Sequence, residues 1–119
     1  MKILIVDDDQ SILRLYQEEL EEEGYVIVTA ASGQEGLEKF EREQPDLVTL
    51  DIHLPDIDGI KLLRQMKEKR PRLPIIMSTA YDYRDDFSVW ASEAYIVKSS
   101  DLTELKATIK KLTGKEEGH

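Results

Sequence analysis

Five short runs of apolar, mostly β-branched residues, at 3–6, 26–29, 47–50, 75–77 and 95–97, constrain the fold of this chain most. They are nearly continuous rather than alternating. A strand with one wet face alternates apolar and polar residues, whereas a strand buried on both faces does not. Such strands need a layer on each side, and the intervening sequence supplies it. Ile12, Tyr16 and Leu20 recur at helical spacing, with Gly24 placed as a stop. Ser32 and Glu35 make a capping box ahead of Leu37 and Phe40. Asp58 is placed to cap a helix bearing Ile60, Leu63 and Met66. Tyr83, Phe87 and Trp90 fit a fourth helix. Asp101 with Glu104 is placed to cap a fifth, carrying Leu102, Leu105, Ile109 and Leu112. Five strands alternating with five helices predict an α/β fold with a doubly wound parallel sheet.

A chain of 119 residues suits one domain. That domain is expected over 1–113, with 114–119 a disordered polar tail. The absence of cysteine excludes disulfides and thiolate metal sites. The formal charge of −9, from 25 acidic and 16 basic residues, argues against direct nucleic-acid binding, which needs clustered Lys and Arg. No apolar run approaches the roughly 20 residues of a membrane span. Residues 1–6 lack the pattern of a signal peptide. The expectation is a soluble, cytoplasmic protein with no membrane partner.

Open parallel sheets bind ligands beyond the carboxyl ends of their strands, at a switch point in strand order. At these ends the chain places Asp7, Asp8 and Asp9 after Val6, and Asp51 after Leu50. It places Ser78 and Thr79 after Met77, and Lys98 after Val97. Two carboxylates about 4 Å apart repel by roughly 4 kcal/mol at an effective dielectric near 20. Three together require a cation. An all-oxygen cluster prefers a hard ion such as Mg²⁺, which keeps waters and open positions for a phosphate oxygen. A carboxylate beside Mg²⁺ and a lysine is a candidate phosphoryl acceptor, because phosphoryl transfer needs chiefly in-line positioning and charge neutralisation. Any one of these residues has a plainer reading, as a helix cap, a turn residue or a surface charge. Their joint placement at four strand ends is the signal.

The motifs are Val6-Asp7-Asp8, then Asp51-Ile52-His53-Leu54-Pro55-Asp56-Ile57-Asp58-Gly59, then Ser78-Thr79-Ala80, then Ile96-Val97-Lys98. In this order the chain resembles, over residues 2–112, the receiver domains of two-component response regulators. It most resembles stand-alone receivers of the sporulation phosphorelay. The resemblance implies a flavodoxin-like sheet of order 2-1-3-4-5. It implies Asp51 as phosphoacceptor, with Mg²⁺ (Mn²⁺ able to substitute) held by Asp8, Asp51, the His53 backbone carbonyl and, through water, Asp7. Thr79 and Lys98 would contact the phosphoryl oxygens, and Tyr95 would swing inward behind Thr79 as a switch. Such a domain is not a conventional enzyme: it assists its own phosphorylation and dephosphorylation. Its partner would be a sensor histidine kinase or a histidine phosphotransfer protein. It would be a monomer, or a dimer on phosphorylation. Output would pass through protein contacts or onward phosphoryl transfer. Ile12, Leu13 and Leu15 form a wide apolar face on the first helix where such a partner would dock.

Two features depart from the family pattern. Ser99 stands where a cis proline usually follows the lysine. A non-proline cis bond costs about 2.5–4 kcal/mol, so a trans Lys98–Ser99 bond is expected, or a strained cis bond retained by the site. The segment between Thr79 and Lys98 is also shorter than usual, so the helix around residues 83–90 should be short or displaced. Two other function classes fit less of the chain. A haloacid-dehalogenase-type phosphatase would explain Asp7, Asp8 and Asp9 but not the motif from Asp51 to Gly59. A receiver-like interaction module that is never phosphorylated would leave the acceptor, metal and lysine positions without a purpose.

Overall fold

The computed structural model describes residues 1–79, 94–98 and 101–114. Five strands form one parallel sheet: β1 (Lys2–Val6), β2 (Val26–Ala30), β3 (Leu47–Leu50), β4 (Ile75–Thr79) and β5 (Ala94–Val97). Four helices lie among the described residues: α1 (Gln10–Glu22), α2 (Gly33–Glu43), α3 (Gly59–Lys69) and α4 (Thr103–Thr113). The fourth helix expected around residues 83–90 lies outside the described residues, as does the tail beyond 114 and the Lys98–Ser99 bond. Strand order is β2-β1-β3-β4-β5, as expected. The chain leaves β1 in one direction to form β2, then returns to place β3 on the other side of β1. The switch point therefore falls between β1 and β3.

The apolar runs of β1, β3 and β4 are buried on both faces, whereas β2, at the sheet edge, leaves Val26 exposed and Val28 half-buried. Leu4 and Val6 of β1 join Val48 and Leu50 of β3 and Ile75 and Met77 of β4 in a core with Phe40 of α2 and Leu62, Leu63 and Met66 of α3. Ile3, Ile5, Leu47 and Ile76 point the other way, to Leu13, Tyr16 and Leu20 of α1 and Leu105 and Ile109 of α4. Burying a Leu or Ile side chain fully contributes about 2 kcal/mol, so these two layers dominate the folding free energy.

Local signals place the helix ends. Asp9 caps α1, its Oδ1 accepting from the Ser11 amide at 2.9 Å. After Glu23, Gly24 adopts φ 97°, the left-handed region where a Cβ is costly. The Gly24 amide donates to Glu21 O and the Tyr25 amide to Leu20 O, closing a Schellman turn. Ser32 caps α2 through the Glu35 amide. Glu35 reaches back to the Ala31 amide at 2.7 Å rather than to that of Ser32, so the box is one residue wider than expected. Asp58 caps α3 as expected. At α4 the cap position is Leu102, which offers no side-chain oxygen. Asp101, one residue earlier, accepts from both the amide and the hydroxyl of Thr103. A further difference concerns β4, which runs on to Thr79. Ser78 and Thr79, expected just beyond the strand, are its last residues.

Candidate phosphoryl-acceptor and metal site

β1 and β3 deliver the acidic residues. The Asp7 amide donates to Ala30 O, and the Asp51 amide donates to Val6 O, so hydrogen bonding between strands continues to the rim. Asp7, Asp8 and Asp51 each place a carboxylate oxygen within 4.8 Å of the others. Asp7 and Asp51 are buried, and Asp8 is exposed. Lys98, from the end of β5, pairs with Asp7 Oδ2 at 2.5 Å and with Asp51 Oδ2 at 3.2 Å. Asp7 Oδ1 also accepts the Asp9 amide at 2.9 Å. Asp51 Oδ1 faces the His53 amide at 3.3 Å. Both oxygens of Asp7 are therefore engaged by protein donors, while Asp8 is open to solvent.

One ammonium serves two buried carboxylates, and the ionisation of the groups reflects that. Burial raises the Asp7 pKa above the ordinary carboxylate value, and the Lys98 hydrogen bond and charge only partly offset it. Burial pulls Lys98 down, but the Asp7 hydrogen bond and the charges of Asp7 and Asp51 outweigh it, so its pKa is raised. Both partners of the pair move upward because Lys98 gains two anions whereas Asp7 shares one cation. The cluster keeps an excess of negative charge. Its donors are all oxygens, and one of its carboxylates is open to water. These properties fit Mg²⁺, which favours one or two carboxylates with retained waters.

Thr79 and Tyr95 are placed by their backbones alone: Thr79 pairs with Val97, and Tyr95 with Met77. The first of these brings Thr79 to the same sheet edge as Lys98. Ser78, by contrast, is turned into the core, its Oγ 2.9 Å from the Tyr16 hydroxyl. It supplies no hydroxyl to the rim. Leu13 requires a correction. It is buried against the sheet, so it belongs to the core and offers no docking surface. Ile12 and Leu15 are half-buried at the edge of the same cluster and keep some surface.

The loop after β3 is shaped by close approach. A Cβ on Gly59 would lie 2.0 Å from the Asp51 carbonyl oxygen and 2.6 Å from Ile52 Cα. Neither is a flexible side chain that could yield. Gly59→Ala is therefore expected to cost about 3 kcal/mol, the upper part of the range for overpacking, measured as a lower urea midpoint. An unchanged midpoint would show that the loop and α3 can separate freely. Sequence reasoning assigned Asp56 no role, yet its carboxylate accepts from the Gly33 amide at 2.8 Å and the Gln34 amide at 2.9 Å. No local pattern could reveal a bond spanning 23 and 22 residues.

Comparison with known proteins agrees with this geometry. The family model of the response regulator receiver domain matches residues 3–110. The response regulator TrrA of Thermotoga maritima, solved in complex with Mg²⁺-BeF, is 47% identical. That match has a TM-score of 0.89 and covers 93% of this chain and 97% of TrrA. TrrA solved in complex with the histidine kinase ThkA matches with a TM-score of 0.88 at the same identity and coverage. Sporulation initiation phosphotransferase F of Bacillus subtilis is 36% identical over 113 residues, covering 92% of this chain and 91% of that protein. The alkaline phosphatase synthesis transcriptional regulatory protein PhoP of Bacillus subtilis is 39% identical over 119 residues, which is 98% of this chain and 50% of that regulator. The chain spans about half the length of the curated transcriptional regulators it matches. Fold, site and family match lead to one conclusion: the chain belongs to the receiver domains of two-component response regulators.

Proposed function

We propose that Asp51 accepts a phosphoryl group from a phosphohistidine on a sensor kinase or phosphotransfer protein, in the cytoplasm, with Mg²⁺ bound at the acidic rim. A carboxylate oxygen of Asp51 forms the new bond to phosphorus as the phosphorus–nitrogen bond of the donor breaks. The leaving imidazole takes up a proton. The observation that carries this reading is the meeting of Asp7, Asp8 and Asp51 within 4.8 Å beside Lys98. When bound, Mg²⁺, or Mn²⁺ in its place, would supply neutralising charge for the phosphoryl oxygens. Asp8, Asp51 and the His53 carbonyl would hold it, and Asp7 would act through water. Lys98 pairs with a phosphoryl oxygen, and the Thr79 hydroxyl donates to another. Tyr95, two residues earlier on the adjoining strand, responds to Thr79 and carries the change to the outer face. Ile12 and Leu15 meet the partner. The support for that partner class is the TrrA–ThkA complex.

The domain works as a switch or relay rather than as an independent enzyme, monomeric until phosphorylation permits dimerisation. Incubation with acetyl phosphate and Mg²⁺ should add one phosphoryl mass to the intact protein. Chelation with EDTA should reduce incorporation by about 100-fold or more, since the site loses its main charge-neutralising group. Equal incorporation with and without chelator would remove the metal from the mechanism.

A further inference from the structure

The loop from Asp51 to Asp58 is tied at both ends. At its base His53 and Asp58 form one isolated antiparallel bridge, and the Gly59 amide donates to Ile52 O at 2.8 Å. At its tip the Asp56 carboxylate spans the first two amides of α2, with one oxygen to Gly33 and the other to Gln34. The helix has a separate cap for its third amide, since Ser32 Oγ takes that of Glu35 at 3.1 Å. Asp56 therefore satisfies the two first-turn donors that Ser32 leaves over, and an anion there also suits the helix dipole. Those two amides hold the Asp56 carboxyl below the usual carboxylate range, so it is ionised at neutral pH. The fit is close: a Cβ on Gly33 would come 1.9 Å from Ile57 Cγ2. Pro55, just before the clamp, fixes its own φ and stiffens the tip.

We propose that Asp56 is a positioning residue for the metal site, its clamp on α2 holding the loop so that the His53 carbonyl is aimed at the cation. The inference rests on the metal reading given above. A carbonyl ligand on an untethered loop must be ordered when the ion binds. A tethered loop has met that cost on folding. Removing an outer partner of a metal ligand weakens affinity by about tenfold at the low end.

The test is Mg²⁺ titration of the whole chain by isothermal calorimetry, well below its melting temperature. Asp56→Ala should raise Kd about tenfold. Asp56→Asn keeps one acceptor oxygen and should fall between Asp56→Ala and the wild type. Ser32→Ala removes the other cap of α2 without touching the loop, and its Kd should match the wild type. Equal weakening by Ser32→Ala would mean that any loosening of α2 has this effect, which overturns the positioning role. Wild-type affinity in Asp56→Ala would overturn it as well. A wild type that binds no Mg²⁺ would instead remove the metal reading itself, and this inference with it.

Discussion

Asp51→Asn should abolish phosphoryl incorporation from acetyl phosphate, with no added mass on the intact protein at times when the wild type is fully modified. The amide is nearly the same size as the carboxylate, so the buried site at the end of β3 need not repack. Its oxygen, however, is not an anionic nucleophile. The change also removes one of the three negative charges within 4.8 Å that would draw in the metal. Both effects act against the same step. Asp8→Asn should behave differently. It leaves the acceptor in place, so incorporation should slow by about 100-fold but recover partly at high Mg²⁺. Retained incorporation in Asp51→Asn, mapped to Asp8 or another residue, would show that the acceptor has been assigned to the wrong carboxylate.

The second large effect concerns stability. Lys98→Met should lower the unfolding free energy in metal-free buffer by about 3 kcal/mol, the low end for removing one partner of a buried ion pair. Asp7 and Asp51 would then face each other with no ammonium between them. Saturating Mg²⁺ should shrink the deficit, because the ion replaces the missing positive charge. The pH dependence follows from the two raised pKa values. Asp7, raised by burial, contributes stability while protonated and loses it as pH rises through its folded value, above 3.8. Lys98, raised by its partners, contributes stability below 10.5 and loses it as pH rises through its higher folded value. The deficit should therefore be largest between those two limits and should fade at either extreme. Urea titrations across pH, with and without Mg²⁺, would measure it. A deficit unaffected by Mg²⁺ would mean that Lys98 acts through packing rather than charge.

The sheet was legible because burial on both faces leaves a pattern that a short sequence window can hold. Residues 3–6 and 47–50 read as fully buried strands and are so. The rim was legible for a related reason. In a parallel sheet every strand ends on the same side, so Asp7, Asp8, Asp51 and Lys98 could be brought together without knowledge of the loops. Finer contacts depend on tertiary geometry and were not readable. Leu13 and Leu15 look alike in sequence, but a small rotation of α1 buries one and leaves the other at the edge. Ser78 reads as one more hydroxyl at the rim, yet β4 continues past it and strand alternation turns it to Tyr16. Asp101 reads as a helix cap and lies one residue too early. Helix ends are the least certain features of any sequence reading. Asp56 leaves no local trace, because its partners belong to a different helix.

The bond between the Tyr16 hydroxyl and Ser78 has a further consequence. It crosses from α1 into β4, where a buried hydroxyl left without a partner would cost roughly 1–3 kcal/mol. Each partner therefore penalises any slip of the helix that would strand the other. An oily interface resists separation but tolerates sliding. This polar stitch helps fix the longitudinal setting of α1, and with it the height at which Asp9 begins the helix beside the acidic rim.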